Sequence, residues 1–120
     1  MVQENHNRFE SIYIKPMPAS TPPPPYAVIF TSIRTEGDNG YIEMAEKMEE
    51  LARQQSGFLG IESARSETGI TVSYWKDLES IKLWKQHTDH VIAQQKGITD
   101  WYSHYRVRIC KVEREYGFGK

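Results

Sequence analysis

The run Tyr26-Ala27-Val28-Ile29-Phe30-Thr31-Ser32-Ile33-Arg34 constrains the fold more than any other part of the chain. It is rich in β-branched and aromatic residues, which reads as a strand. Its apolar side chains occupy both alternate sets of positions: Tyr26, Val28 and Phe30 on one, Ala27, Ile29 and Ile33 on the other. Successive side chains of a strand point to opposite faces, so this strand needs cover on both sides and belongs inside a sheet.

The segments that follow supply the first cover. Glu36-Gly37-Asp38-Asn39-Gly40 is a turn in which Asp38 or Asn39 can cap a helix. Tyr41, Met44, Met48 and Leu51 then recur at helical spacing beside Ala45 and Ala52, with Glu43, Glu46, Lys47, Glu49, Glu50 and Arg53 opposite. Gly57 closes that helix. Phe58 to Ala64 reads as a second strand, Ser66-Glu67-Thr68-Gly69 as a turn, and Ile70 to Trp75 as a third strand. In the third strand Ile70, Val72 and Tyr74 share one face and Thr71, Ser73 and Trp75 the other. Asp77 caps a second helix in which Ile81, Trp84, Thr88 and Val91 lie on one face, and Gly97 suits its end. After the link Ile98-Thr99-Asp100-Trp101, residues Tyr102 to Glu113 alternate, with Tyr105, Val107 and Ile109 on one face and His104, Arg106, Arg108 and Cys110 on the other.

The order is βαββαβ, a ferredoxin-like α+β fold with an antiparallel sheet. Right-handed crossovers place both helices on the same face. The other face of the first strand then requires a different cover. A second copy of the chain is the expected one, since burial contributes ~25 cal/mol for each Å² removed from water. A homodimer is therefore predicted. With 120 residues there is room for one such domain, expected over residues 26–117. Residues 1–25, with Pro16, Pro18 and the run Pro22 to Pro25, read as a stiff arm. Within that arm Phe9 to Ile14 can add as an edge strand.

Charge excludes some function classes. Fifteen Lys and Arg against sixteen Asp and Glu leave a net charge of −1, and the isoelectric point is about 6.4. No broad positive field draws nucleic acid or anionic lipid. No apolar run approaches the ~20 residues of a membrane span, and the start of the chain lacks the pattern of a secretion signal. The single cysteine, Cys110, excludes an intrachain disulfide and reads as a small core or sheet residue. A cytoplasmic protein is expected.

Aromatic and imidazole groups concentrate between Tyr74 and Tyr105. Trp84, His87, Thr88 and Val91 point one way from the second helix, toward the sheet, with His90 nearer the rim. A pocket lined by Trp75, Trp84, Thr88, Val91 and Tyr105 suits a small aromatic molecule, although Trp84 by itself reads first as a core anchor and Trp75 equally as anchor or wall. His87 and His90 are three apart without a carboxylate cluster, so no metal site is expected. Nucleophile and phosphate-loop motifs are absent from the sequence. Catalysis, if the pocket supports it, falls to His90 or His87 as a base that takes a proton from an acidic phenol or quinol, leaving a carbanion to react with oxygen.

Ser73-Tyr74-Trp75-Lys76-Asp77, Trp84 nine residues after Trp75, His90, and the run Trp101-Tyr102-Ser103-His104-Tyr105-Arg106-Val107-Arg108 resemble the antibiotic biosynthesis monooxygenase family. The resemblance implies a dimeric α+β barrel. For some members it also implies oxidation of aromatic polyketides or quinols without metal or flavin; other members degrade haem. The Trp75 and Trp84 spacing is similar to that of the haem-degrading branch, whose ligand histidine falls ten residues after the second Trp. Here that position is Gln94, and the first strand lacks that branch's Asn, offering only Thr31 and Ser32. The expectation is a monooxygenase of a small aromatic or quinol-type substrate with no cofactor. A non-catalytic small-molecule-binding or stress-response module and a haem-binding or haem-degrading enzyme are the alternatives.

Overall fold

The computed structural model describes residues 25–93 and 100–119. The arm with its Phe9 to Ile14 segment, and Gly97, lie outside the described residues, as does the side chain of Val91. The elements are β1 (Tyr26–Arg34), α1 (Tyr41–Arg53), β2 (Phe58–Arg65), β3 (Thr68–Trp75), α2 (Leu78–Ala93) and β4 (Tyr102–Lys111). The sheet order is β2-β3-β1-β4, and every neighbouring pair is antiparallel. This is the expected ferredoxin-like βαββαβ arrangement.

Both helices begin at the carboxylates the sequence offers. Asp38 accepts hydrogen bonds from the backbone N–H of Gly40 (2.9 Å) and Ile42 (3.2 Å). Asp77 accepts one from the Ser80 N–H at 2.8 Å. That bond, with the Ser80 hydroxyl, holds the Asp77 carboxyl below its ordinary range. Asn39 and Gly40 both take positive φ in the turn, and the Asn39 amide reaches the Asp100 carbonyl at 3.2 Å.

Pairing register defines the two faces. Tyr26, Val28, Phe30 and Ser32 of β1 stand opposite Trp75, Ser73, Thr71 and Gly69 of β3, and opposite Lys111, Ile109, Val107 and Tyr105 of β4. Directly paired residues share a face. That face carries the helices. Ala52 of α1 and Ile81 of α2 meet Trp75 there, with Tyr26, Val28, Phe58 and Trp84 around them. A second cluster forms where Met44, Tyr41, Met48 and Leu51 of α1 meet Trp101 and Tyr102. The sequence places Trp101 in a link, yet it is 5% exposed and its Nε1 donates to the Asn39 carbonyl at 2.9 Å.

The opposite face holds Ala27, Ile29, Ile33, Ile70, Val72 and Tyr74. Among the described residues no helix covers it, and Ile33 and Ile70 are 44% and 46% exposed. Cys110, on the same face of the edge strand, is exposed.

Three boundaries differ from the sequence pattern, the first being β2, which runs to Arg65 rather than Ala64. β3 starts at Thr68 rather than Ile70, because Gly69 pairs with both Ser32 and Arg65. β4 ends at Lys111 rather than Glu113, and the Val112 N–H bonds to the Pro25 carbonyl at 3.0 Å beyond the ladder. Among the described residues no helix is long and apolar enough to cross a membrane.

Candidate functional site

The helix-bearing face contains two groups of chemically distinctive side chains. The first is a stack of three rings. Trp75, at the end of β3, lies against Trp84 of α2 at 5.7 Å between centroids, and Trp84 lies against His87 one turn later at 5.8 Å. Spacing of three residues on a helix brings Trp84 and His87 to the same side. Trp75 has no exposed surface, and its Nε1 donates to the Ser73 hydroxyl at 2.8 Å. It is a core anchor on which Trp84 rests. His87 Nε2 is buried with no hydrogen-bond partner. A buried imidazole nitrogen in that condition is a candidate to receive or hold a proton.

The other pocket candidates are distributed differently. Thr88 is half-buried and its hydroxyl turns back to the Lys85 carbonyl at 3.0 Å. His90 is exposed. Tyr105 stacks on Phe30 at 5.5 Å on the helix-bearing face, 46% exposed. It thus belongs with a second group, which the sequence pattern does not reveal.

That second group sits at the other end of β1. Arg65, Gly69, Ser32 and Tyr105 form one row across the four strands. The Arg65 side chain spans the row, Nη2 donating to the Ser32 hydroxyl. Arg65 Nη1 is buried without a partner. Tyr41 and Tyr102 meet edge to face at 5.6 Å. Burial and then the neighbouring Tyr41 phenol hold the Tyr102 phenol above the ordinary tyrosine range, while Arg65 and Arg34 oppose the shift. Phe30 lies 5.4 Å from Tyr102, and Arg34 sits over the Tyr41 ring at 3.6 Å. Arg34 is otherwise committed, its Nε donating to the Trp101 carbonyl at 2.8 Å and Nη2 to the Gly37 carbonyl at 2.9 Å.

Between these groups and the sheet edge, Val107 and Ile109 of β4 are 45% and 52% exposed. Ile109 joins Leu78, Ile81, Lys82, Lys85 and Gln86 of α2 around an open groove of about 430 Å³. Its floor is apolar and its rim carries two lysines and an amide.

Comparison with known proteins adds a family to this geometry. A family model described as monooxygenase af470-like matches residues 34–111. The Bacillus subtilis (strain 168) protein YqjZ is 51% identical over 100 residues, covering 81% of this chain and 88% of that protein. A proposed antibiotic biosynthesis monooxygenase from Nitrosomonas europaea has the same fold, with a TM-score of 0.61 at 13% identity over 82% of this chain and 99% of that one. A MhuD variant solved with two manganese protoporphyrin IX molecules per active site matches with a TM-score of 0.59 at 16% identity, over 78% of this chain and 99% of that one. At such identities the two structures are alike in fold.

Proposed function

The chain belongs to the monooxygenase af470-like family, and from that premise we propose that it oxidises a small aromatic, quinol-type molecule directly with oxygen, without metal or flavin. The observation that supports this reading is His87, whose Nε2 is buried, unpartnered and stacked beside Trp84. An activated ring methylene would give its proton to that nitrogen. The carbanion's electron pair would then form a carbon–oxygen bond with dioxygen. Protonation of the peroxide and loss of water leave a ketone, so that the methylene and one molecule of dioxygen become a carbonyl and one molecule of water. His87 is preferred over His90 because only His87 faces the ring stack.

Oxygen uptake with a panel of quinols and anthrones tests the proposal. Turnover that falls at least a hundredfold in His87→Ala, and little in His90→Ala, is expected of a general base. Silence across the panel refutes it. A ligand retained through purification and released unchanged is the result expected of a non-catalytic or stress-response module.

The haem alternative is the weaker one. The position ten residues after Trp84 carries Gln94 in place of a ligand histidine, and β1 offers only Thr31 and Ser32 as polar side chains. Gln94 lies outside the described residues. A Soret shift at micromolar haemin would restore that alternative.

We also propose a homodimer formed through the helix-free face, supported by the exposure of Ile33 and Ile70 there. Light scattering should give twice the chain mass, and Ile70→Asp should give the monomer. A monomeric parent at micromolar concentration would overturn it.

A further inference from the structure

We propose that Arg65 is the anion-binding centre of a ligand site on the helix-bearing face. The molecule it takes is an aromatic organic acid, with its carboxylate at Arg65 and its ring system along Tyr105, Val107 and Ile109. This rests on the reading that the face holds a small aromatic molecule, and it names the chemical class.

Among the described residues the arginine has no acidic partner. The described ion pairs join Arg53 to Glu49 and Lys85 to Asp89, both along helix surfaces away from this row. Burying a guanidinium is unfavourable unless its donors are used. Here one nitrogen is held by Ser32, which is itself fully buried, and Nη1 is left over. A carboxylate oxygen is the acceptor a guanidinium nitrogen binds most strongly.

Gly69 makes the arrangement possible. It stands between Arg65 and Ser32 in the row, and a Cβ there would run into the guanidinium. The absent side chain is the space through which Arg65 crosses β3.

The surroundings fit an aromatic body. Phe30, Tyr102 and Tyr105 lie within 5.4 to 6.1 Å of one another. Tyr105, Val107 and Ile109 are exposed on the same face and lead to the groove against Leu78 and Ile81. From Tyr105 to Ile109 is four residues, about 13 Å of strand, enough for an acid with two or three fused rings.

The test is binding of 2-naphthoate to the full chain under nitrogen, followed by calorimetry, with uncharged 2-naphthamide and inorganic phosphate as comparison probes. Naphthoate should bind about tenfold or more tightly than naphthamide, as a charge-assisted bond in a buried site allows. Arg65→Gln should abolish that preference while leaving the weak binding of naphthamide, and Ile109→Asp should weaken both. An Arg65 side-chain nitrogen resonance that moves with naphthoate and not with naphthamide gives the same answer in the unmodified protein, independently of whether Arg65→Gln folds. The proposal is overturned if naphthoate and naphthamide bind alike, if Arg65→Gln keeps the preference, or if phosphate binds more tightly than naphthoate. Because oxygen is excluded, naphthoate binding by a protein silent in oxygen uptake would sink the oxygenase reading alone.

Discussion

Replacing Trp75 by Phe separates a core anchor from a pocket wall. The indole is fully buried, stacks on Trp84 at 5.7 Å, meets Phe58 edge-on at 5.5 Å and donates to Ser73 at 2.8 Å. Phenylalanine keeps an aromatic ring but loses the donor and part of the buried volume. The lost hydrogen bond leaves a nearly buried Ser73 hydroxyl without its donor, worth about 1 kcal/mol. The missing ring atoms contribute about 1–2 kcal/mol through transfer and cavity. The sum, roughly 2–3 kcal/mol, corresponds to a fall in Tm of roughly 10 °C for a domain of this size. Urea unfolding followed by far-UV circular dichroism measures it, at several protein concentrations because a dimer would couple association to unfolding. A cycle with Ser73→Ala should return a coupling of about 1 kcal/mol. A Trp75→Phe change below ~0.5 kcal/mol, the size of an ordinary surface substitution, combined with weakened ligand binding, would refute the core assignment.

Three further outcomes are expected. Gly69→Ala should push the Arg65 guanidinium aside, because the new methyl meets it, moving the Arg65 side-chain resonance and costing about 1 kcal/mol, the worth of the hydrogen bond to Ser32 that it disturbs. Asp38→Ala removes the acceptor for two N–H groups at the start of α1 and should lower stability by about 1 kcal/mol in the same urea assay. Tyr102 is held above its unfolded value of 10.0, so its contribution is fully present below pH 10 and lost as pH rises from there, when the unfolded chain ionises and the native phenol does not. Alkaline unfolding should therefore begin near that pH, and Tyr102→Phe should flatten the slope; an unchanged slope would count against the buried phenol.

The two faces of β1, the two helix caps and the apolar side of α1 were legible in the chain because each depends on a period of two or 3.6 residues and on local hydrogen bonds. The pocket candidates were legible only as a list. Periodicity brings Trp84 and His87 together, but it cannot say that Trp75 lies wholly inside the core while Tyr105 stands half open. An alternating strand reads the same whether covered or bare, and β4 is bare on its helix-bearing side because it is the edge strand and α2 leaves a groove beside it.

Sequence by itself determined the order of elements and the helix-bearing topology, since both follow from side-chain direction and chain connectivity. Tertiary structure alone decided the Arg65 row and the place of Trp101. Arg65 and Ser32 are 33 positions apart, and Trp101 and Asn39 are 62. Strand register and chain closure, rather than any local pattern, set such distances, and they place a guanidinium with an unused nitrogen beside the phenols of Tyr41 and Tyr102.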